Sequence, residues 1–308
     1  MRWLQRYAAF AVSSGIAPAQ AEQARAAMAG RVQILSPAQD EALLREAVSV
    51  GSRASNRAWH FEAGSRWRKR HGMVTPRWLR WVLLRMQENN MAQVFIIGAA
   101  GKVGRHLVKQ LADRRHRVLA LHRRAGQGAE LGALGATPVT GDLTAIDVGD
   151  LAGQMAGSDV AVFTAGAGGA GVEVTNAIDG RGLELAVDAA RQAGVRRFLL
   201  VSAFPEAGRN KAMGEGFENY MTVKKRADVY LAATDLDWVI LRPGTLNDAP
   251  GTGRIAAGPA IAYGDIPRAD VAATLVALVE HPEVRRAIIE LTEGGQPVGE
   301  VIARLARP

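Results

Sequence analysis

The sequence predicts an α/β fold with a doubly wound parallel sheet over residues 91–308, and three observations lead to this prediction. Short apolar runs alternate with amphipathic helical patterns from residue 93 onward. The runs are almost continuously apolar, as expected for strands that are covered by helices on both faces. Glycines, hydroxyls and charged side chains follow the ends of these runs. In such sheets, ligands bind beyond the carboxyl ends of the strands.

The strands and helices are predicted to alternate along the chain. Strands are expected at 93–97, 117–122, 137–140, 159–164, 197–202, 237–242 and 287–291. Helices are expected at 103–114, 147–156, 175–193, 216–233, 268–280 and 297–305. Gly180 and Gly182 weaken the third helical pattern in its first turns, because glycine disfavours helix. Segments 205–216 and 247–263 have loop-like sequences, and we expect them to line a substrate pocket.

The first ninety residues differ in composition from the rest. Residues 1–90 contain 14 Lys and Arg against 6 Asp and Glu, whereas residues 91–308 contain 24 of each class. The net charge of +8 and five of the six tryptophans therefore belong to the first segment. We interpret 1–90 as a basic N-terminal extension and 91–308 as the folded domain. The complete absence of cysteine excludes disulfides and thiolate chemistry.

Several interpretations of the extension remain open. It is expected to be poorly ordered or partly helical, with helical patterns at 18–28 and 37–48. One alternative is a misassigned start, with Met91 as the true first residue just before the first strand. Another is binding of nucleic acid or anionic lipid by the basic, Trp-rich stretch 67–85. The last is a secretory signal, although the apolar stretch after Arg6 is short.

The stretch from Val94 to Gly104, Val-Phe-Ile-Ile-Gly-Ala-Ala-Gly-Lys-Val-Gly, is the most informative part of the chain. An apolar run turns sharply into a helical pattern, and the N–H groups at a helix start bind pyrophosphate well. We predict a dinucleotide-binding turn with contacts from Gly98, Gly101, Lys102, Val103 and Gly104. The spacing G-x-x-G-x-x-G differs from the G-x-G-x-x-G of many dehydrogenases. The alternative is a tight turn without a ligand.

The ends of the later strands extend this predicted cofactor site. Basic residues after the second strand accommodate a 2′-phosphate, so Arg123 and Arg124 favour NADP(H), while NAD(H) remains possible. The alternative is that both arginines are solvated charges on a loop and bind no ligand. Asp142 and Leu143 are expected at the adenine edge, unless Asp142 caps a helix instead. Further predicted contacts follow the fourth and sixth strands, at Ala165, Gly166, Pro243 and Gly244, and Lys224 is expected to hold the nicotinamide ribose.

A Tyr-x-x-x-Lys pair provides the candidate chemistry. Tyr220 and Lys224 are four residues apart and therefore share one helix face, with Ala227 and Leu231 continuing the stripe. A lysine beside a phenol lowers the pKa of the phenol from its usual value of about 10. Tyr220 is then expected to donate a proton to a carbonyl oxygen that Ser202 also hydrogen-bonds. A chance Tyr-x-x-x-Lys pattern is the alternative.

Other classes of site have little support in the sequence. The six histidines show no metal-ligand spacing, so we expect no metal. No apolar run reaches the roughly eighteen residues that a membrane-spanning helix needs. We expect a cytoplasmic protein that acts on a small-molecule substrate as a monomer or homodimer, with no nucleic acid bound by 91–308. Arg268, at a predicted helix start, is expected to cap or pair locally, and the alternative is that it reaches a ligand.

With these motifs in view, residues 91–308 resemble an atypical short-chain dehydrogenase/reductase of the NAD(P)H-binding, NmrA-like group, which includes flavin and biliverdin reductase relatives. The segment Ile178-Asp179-Gly180-Arg181-Gly182 resembles the V-D-x-x-G of that group, and 236–244 resembles its following strand. The resemblance implies a Rossmann-type fold, NADP(H) and a Ser–Tyr–Lys site. Ala100 departs from the group, which often carries threonine in G-A-T-G.

Three functions follow from these expectations. The first is an NAD(P)H-dependent oxidoreductase that reduces a small carbonyl, quinone or flavin-like acceptor, with Tyr220 as proton donor. The second is a non-catalytic, NADP(H)-binding, redox-sensing regulator. The third is a sugar-nucleotide epimerase or dehydratase, which needs a larger substrate lobe than the roughly sixty residues after Gly244 provide.

Overall fold

The structure is a computed structural model that describes residues 91–205, 207–208 and 212–306. The helical patterns predicted at 18–28 and 37–48, and the basic stretch 67–85, lie outside the described residues. The predicted boundary between extension and domain at residue 91 stays a prediction.

Strands and helices alternate in the order that the sequence predicts. The strands are β1 (Gln93–Ile97), β2 (Arg117–His122), β3 (Thr137–Thr140), β4 (Val160–Phe163), β5 (Arg197–Val201), β6 (Asp237–Pro243), β7 (Thr245–Asn247), β8 (Arg254–Gly258), β9 (Asp265–Pro267), β10 (Ala287–Glu293) and β11 (Gln296–Pro297). The α-helices are α1 (Lys102–Asp113), α2 (Ala125–Ala133), α3 (Val148–Met155), α4 (Val172–Thr175), α5 (Gly182–Gln192), α6 (Glu215–Ala232), α7 (Arg268–Glu280) and α8 (Val298–Leu305). A π-helical segment, Asn176–Arg181, joins α4 to α5.

The central sheet has the strand order β11-β8-β10-β6-β5-β4-β1-β2-β3. Every neighbouring pair from β10 to β3 is parallel, and β8 runs antiparallel to β10 and β11. The chain reverses its direction of winding between β1 and β4, so the crevice at the sheet edge opens there. The predicted α/β, Rossmann-type fold is confirmed.

Helices cover both faces of this sheet, because alternate side chains of each strand point to opposite sides. On β1, Val94 and Ile96 pack into a cluster with α1, α7 and α8. Phe95 and Ile97 pack into a second cluster with α3, α5 and α6. All four side chains are fully buried. This burial on both faces explains why the predicted strands read as unbroken apolar runs.

The structure adds elements that the sequence patterns did not predict. Helix α2 was missed because its sequence is rich in glycine and only Leu131 is buried. Strands β7, β8, β9 and β11 are short, and the predicted loop 247–263 contains β8. The single helix predicted at 175–193 is instead divided into α4, the π-helical segment and α5. Gly180 and Gly182 lie where the π-helical segment meets α5, and glycine favours such interruptions of regular helix.

Candidate active site

The turn after β1 has the geometry of a phosphate-binding loop. Gly98 has φ +88°, and a Cβ added there would overlap the backbone of Ala165. Gly101 donates its N–H to the Gly98 oxygen at 3.0 Å and forms the N-cap of α1. Since Gly101 has no side chain to cap the helix, the first N–H groups of α1 face the space beyond the sheet edge. This arrangement suits an anionic ligand.

The turn opens into a cleft of about 1110 Å³ at the carboxyl ends of β1, β2, β4 and β5. Most of the predicted site residues line this cleft, namely Gly98, Gly101, Lys102, Val103, Arg123, Asp142, Leu143, Ala165, Gly166, Ser202, Tyr220 and Lys224. The structure therefore brings most of the predicted cofactor residues and the three predicted catalytic residues into one cavity.

Four predicted cofactor residues lie elsewhere. A Cβ at Gly104 would overlap the Gly98 and Ala99 carbonyls, so this glycine lets α1 pack closely on the turn. Arg124 is the N-cap of α2. Pro243 ends β6 in a buried position, and a Cβ at Gly244 would overlap the backbone of Gly264. These four positions shape the scaffold around the cleft and are not part of its lining.

The end of the cleft next to β2 carries Arg123 and Asp142. Arg123 is exposed, so its guanidinium is accessible to a ligand in the cleft. The Asp142 carboxylate accepts hydrogen bonds from the Thr144 N–H at 2.9 Å and the Thr144 hydroxyl at 2.7 Å. These two bonds lower the pKa of Asp142. The alternative of a helix cap is wrong, because α3 begins later and is capped by Asp147.

An ion-pair triad lies beside the phosphate-binding turn. The Asp248 carboxylate contacts the Lys102 ammonium at 2.6 Å and the Arg268 guanidinium at 2.6 Å. Lys102 and Arg268 both line the cleft. The expectation that Arg268 pairs locally is confirmed, and the same residue also faces the ligand space. The sequence did not indicate Asp248, whose partners lie 146 and 20 residues away.

At the opposite end, α6 presents the predicted Tyr/Lys stripe. Lys224, Ala227 and Leu231 are buried, and Tyr220 lines the cleft, whereas Lys225 is exposed. Ser202 follows β5 directly, and its N–H donates to the Leu241 oxygen at 2.8 Å. The Ser202 hydroxyl is buried without a hydrogen-bond partner among the described residues. A buried polar atom without a partner is costly, so this hydroxyl points to a ligand that satisfies it.

Lys224 has a partner that the sequence did not predict. Its ammonium contacts the Asp179 carboxylate at 3.3 Å and donates to the Val201 oxygen at 3.0 Å. The side chains of Lys224 and Asp179 are 5% and 1% exposed, so this is a buried ion pair. Asp179 lies in the π-helical segment and also accepts the Ala167 N–H at 2.8 Å.

The predicted pKa of the phenol is wrong in direction. Burial, together with the negative charges of Asp179 and Asp228, raises the pKa of Tyr220 to about 12. The Lys224 ammonium lies 6.0 Å from the centre of the Tyr220 ring, and its charge is already paired with Asp179. The sequence showed the lysine next to the tyrosine, but not the carboxylate that pairs with it.

The residues present fit a dinucleotide. Three features agree: the side-chain-free helix start, the basic Arg123 at the end of β2, and the unpartnered Ser202 hydroxyl at the other end. The ring centres of Phe217 and Tyr220 lie 6.2 Å apart, and Phe217 adds an apolar wall at this end of the cleft. Within the described ranges, no cluster of His, Asp or Glu could hold a metal ion. Nor does any helix of 91–205 or 212–306 have the length and apolarity that would cross a membrane.

Comparisons with known proteins agree with this site. Residues 98–282 match the NAD(P)H-binding family. A Bacillus subtilis protein named as an uncharacterized sugar epimerase, YhfK, is 36% identical over 215 residues, which cover 69% of this chain and all of the relative. The chain therefore belongs to the NAD(P)H-binding family and carries its Rossmann-type, oxidoreductase-type fold.

Solved structures show the same architecture. A Bacillus halodurans protein, assigned by name to the NAD-dependent epimerases/dehydratases, is 29% identical with a TM-score of 0.64, over 69% of this chain and 99% of that one. The anaerobilin reductase ChuY of Escherichia coli O157:H7 is 26% identical with a TM-score of 0.55, over 65% of this chain and 97% of that one. The predicted resemblance to reductases of the NmrA-like group is confirmed.

Proposed function

We propose that this protein is an NADPH-dependent reductase of a small carbonyl, quinone or flavin-like acceptor. The observation that carries the proposal is the buried, unpartnered Ser202 hydroxyl, which lines the same cleft as Tyr220 and Lys224. A hydroxyl and a phenol in one cavity suit an acceptor oxygen, which takes a hydrogen bond from one and a proton from the other. The likeness to a reductase, ChuY, supports the same chemistry.

Each residue has a distinct role in this scheme. A nicotinamide cofactor held in the cleft would supply the hydride that the acceptor takes up. Tyr220, which is protonated at neutral pH because its pKa is raised to about 12, gives its proton to the oxygen that becomes negative. Ser202 donates a hydrogen bond to that oxygen. The phenolate left on Tyr220 then takes a proton from solvent, which restores the site.

The cleft favours an acceptor with a flat or apolar body. Val174, Ile178 and Phe217 line it. The charged Lys224 and Asp179 pair with each other, so they offer the substrate no free charge. Such a lining binds the apolar surface of a substrate, and its polar contacts are made with the reacting oxygen.

Turnover of NADPH with a panel of carbonyls and quinones tests the proposal. Tyr220→Phe is expected to lower kcat at least a hundredfold while NADPH binding is retained, since general acid catalysis contributes about 10²–10⁴-fold. Tyr230→Phe is the matched control, because Tyr230 lies on the same helix but donates to Asp188 outside the cleft. Binding of NADPH with no turnover of any acceptor would favour the regulator instead.

The preference for NADP(H) rests on Arg123. A guanidinium at the end of β2 pairs with a 2′-phosphate, and the cleft offers Arg123 but not Arg124. We expect Arg123→Ala to weaken NADPH binding at least tenfold and leave NADH binding almost unchanged. Arg124→Ala is the matched control and should bind both cofactors as the natural protein does. Equal loss of NADPH affinity in both variants would contradict the role of Arg123.

A further inference from the structure

A buried acid lies at the centre of the candidate active site. Asp179 is 2% exposed and lies in the six-residue π-helical segment, where its side chain reaches the cleft. π-helical turns are rare, and those within α-helices are frequently found at functional sites. An ionised carboxylate in such a place must be paired, because an unpaired buried charge is strongly unfavourable.

Each oxygen of this carboxylate has its own partner. One oxygen contacts the Lys224 ammonium at 3.3 Å, and the other accepts the N–H of Ala167 at 2.8 Å. Ala167 belongs to the glycine-rich loop after β4, which is defined here as residues 164–171. A Cβ at Gly166 would lie only 3.2 Å from Asp179, so the loop packs closely on the carboxylate. Asp179 thus joins α6, through Lys224, to the loop that lines the cleft.

The charges around Tyr220 come from three elements. Lys224 and Asp228 lie on its own helix, α6, and Asp179 faces it from the π-helical segment. Asp228 is paired with Arg242 from β6 at 2.8 Å. Because the Asp179 carboxylate lies against the Lys224 ammonium, its negative charge offsets much of the electrostatic stabilisation that the lysine would give to a phenolate. Burial is the largest cause of the raised pKa of Tyr220, and the negative charges of Asp179 and Asp228 add to it.

We propose that Asp179 is a positioning residue that fixes Lys224 and the glycine-rich loop, and that it holds the charge of Lys224 away from the Tyr220 phenol. The inference rests on the proposed function and adds to it the residue that positions the Lys224 ammonium. The geometry that carries it is the 3.3 Å contact of one Asp179 oxygen with Lys224 and the 2.8 Å hydrogen bond that the other accepts from the Ala167 N–H.

The titration of Tyr220 in the full-length protein tests the inference without any substrate. The ultraviolet absorbance of tyrosinate is measured against pH for the natural protein and for Tyr220→Phe, and the difference isolates Tyr220. The same pair is then made on an Asp179→Asn background, where the amide can still accept the Ala167 N–H. We expect the Tyr220 midpoint to move down by up to about one pH unit, because the Asp179 charge is removed and Lys224 is released to act on the phenol, while the burial of the phenol is unchanged.

Two further variants make the test specific. Asp179→Ser, a smaller neutral side chain, should produce the same downward shift. Asp228→Asn should produce a smaller shift, because the Asp228 carboxylate is paired with Arg242. A natural circular dichroism spectrum and a cooperative thermal transition show that each variant is folded.

Two results would overturn the inference. One is a Tyr220 midpoint below about pH 9 in the natural protein, well under the ordinary phenol value. The other is a folded neutral variant at position 179 that titrates as the natural protein does. A protein that shows the expected titration but no turnover would refute the proposed reductase alone. Turnover with an unmoved titration would refute the role of Asp179 alone.

Discussion

Replacement of Lys224 by methionine is the sharpest test of how the site is held together. The side chains of Lys224 and Asp179 are 5% and 1% exposed, and their charged atoms lie 3.3 Å apart. Methionine keeps the length and apolar stem of the lysine, but it leaves the Asp179 carboxylate buried with only the Ala167 N–H as partner. Removal of one member of a buried ion pair costs about 3–5 kcal/mol.

This cost is large enough to measure directly. In a domain of this size, each kcal/mol lowers the melting temperature by about 2–4 °C, so we expect a decrease of roughly 6–20 °C. Thermal unfolding of the full-length protein, followed by circular dichroism at one heating rate, measures it. Lys225→Met is the matched control, because Lys225 is the neighbouring lysine and is exposed. Its melting temperature should stay within about 2 °C of the natural value, as for most surface substitutions.

A double variant separates the ion pair from simple loss of packing. Lys224→Met combined with Asp179→Asn removes both charges, and a neutral pair of similar volume costs much less than a single buried charge. The double variant should therefore be more stable than Lys224→Met alone. The reasoning is refuted if Lys224→Met melts within about 2 °C of the natural protein, or if the second substitution adds its full cost to the first.

Three further predictions concern the turn, the phenol and the triad. Gly98→Ala should lower the free energy of unfolding by roughly 1–3 kcal/mol and weaken NADPH binding at least tenfold, because position 98 requires φ +88°. Calorimetry measures the stability and the affinity. The control is Gly126→Ala, where an added Cβ meets open space. The pKa of Tyr220 in the folded protein lies above its ordinary value. The protonated phenol therefore contributes about 2–3 kcal/mol to the free energy of unfolding below pH 10, and this contribution is lost as the pH rises towards 12. Urea unfolding at several alkaline pH values should show that the free energy of unfolding falls less steeply with pH in Tyr220→Phe than in the natural protein. Asp248→Asn should raise the affinity for NADPH a few-fold at low salt, because it frees Lys102 and Arg268; a lower affinity would show that Asp248 positions them instead.

Most of the fold was predictable from sequence because its signals are local. A strand such as β1, buried on both faces, has to be apolar throughout, and the glycine at position 98 has to adopt a positive φ. Helix α2 was not predictable in this way, since Leu131 is its only buried residue and its pattern has almost no period. Strand β8 was missed because it pairs antiparallel to β10 and β11 near one end of the sheet, after a loop rich in glycine and proline.

The site was predictable where it follows from strand ends and helix spacing. Ser202 follows the end of a strand, and Tyr220 and Lys224 are four residues apart on one helix, so geometry alone brings them together. The contact between Lys224 and Asp179 spans 45 residues and obeys no spacing rule. This is why the direction of the Tyr220 pKa was predicted wrongly. The available signal was an acid between Ile178 and Gly180, next to apolar and small residues, where only a partner makes burial tolerable.

The two ion-pair systems of the cleft differ in burial, and this difference assigns them different roles. Asp248 and Lys102 are exposed, so water screens their attraction, and we expect the pair to separate easily if a phosphate binds beside it. Asp179 and Lys224 are buried, so separating them is costly and their arrangement is fixed before any ligand binds. Substitutions at the phosphate end should therefore change the affinity for NADPH and its salt dependence, with little effect on stability. Substitutions at the chemical end should change the stability of the protein and the titration of Tyr220, even where NADPH still binds.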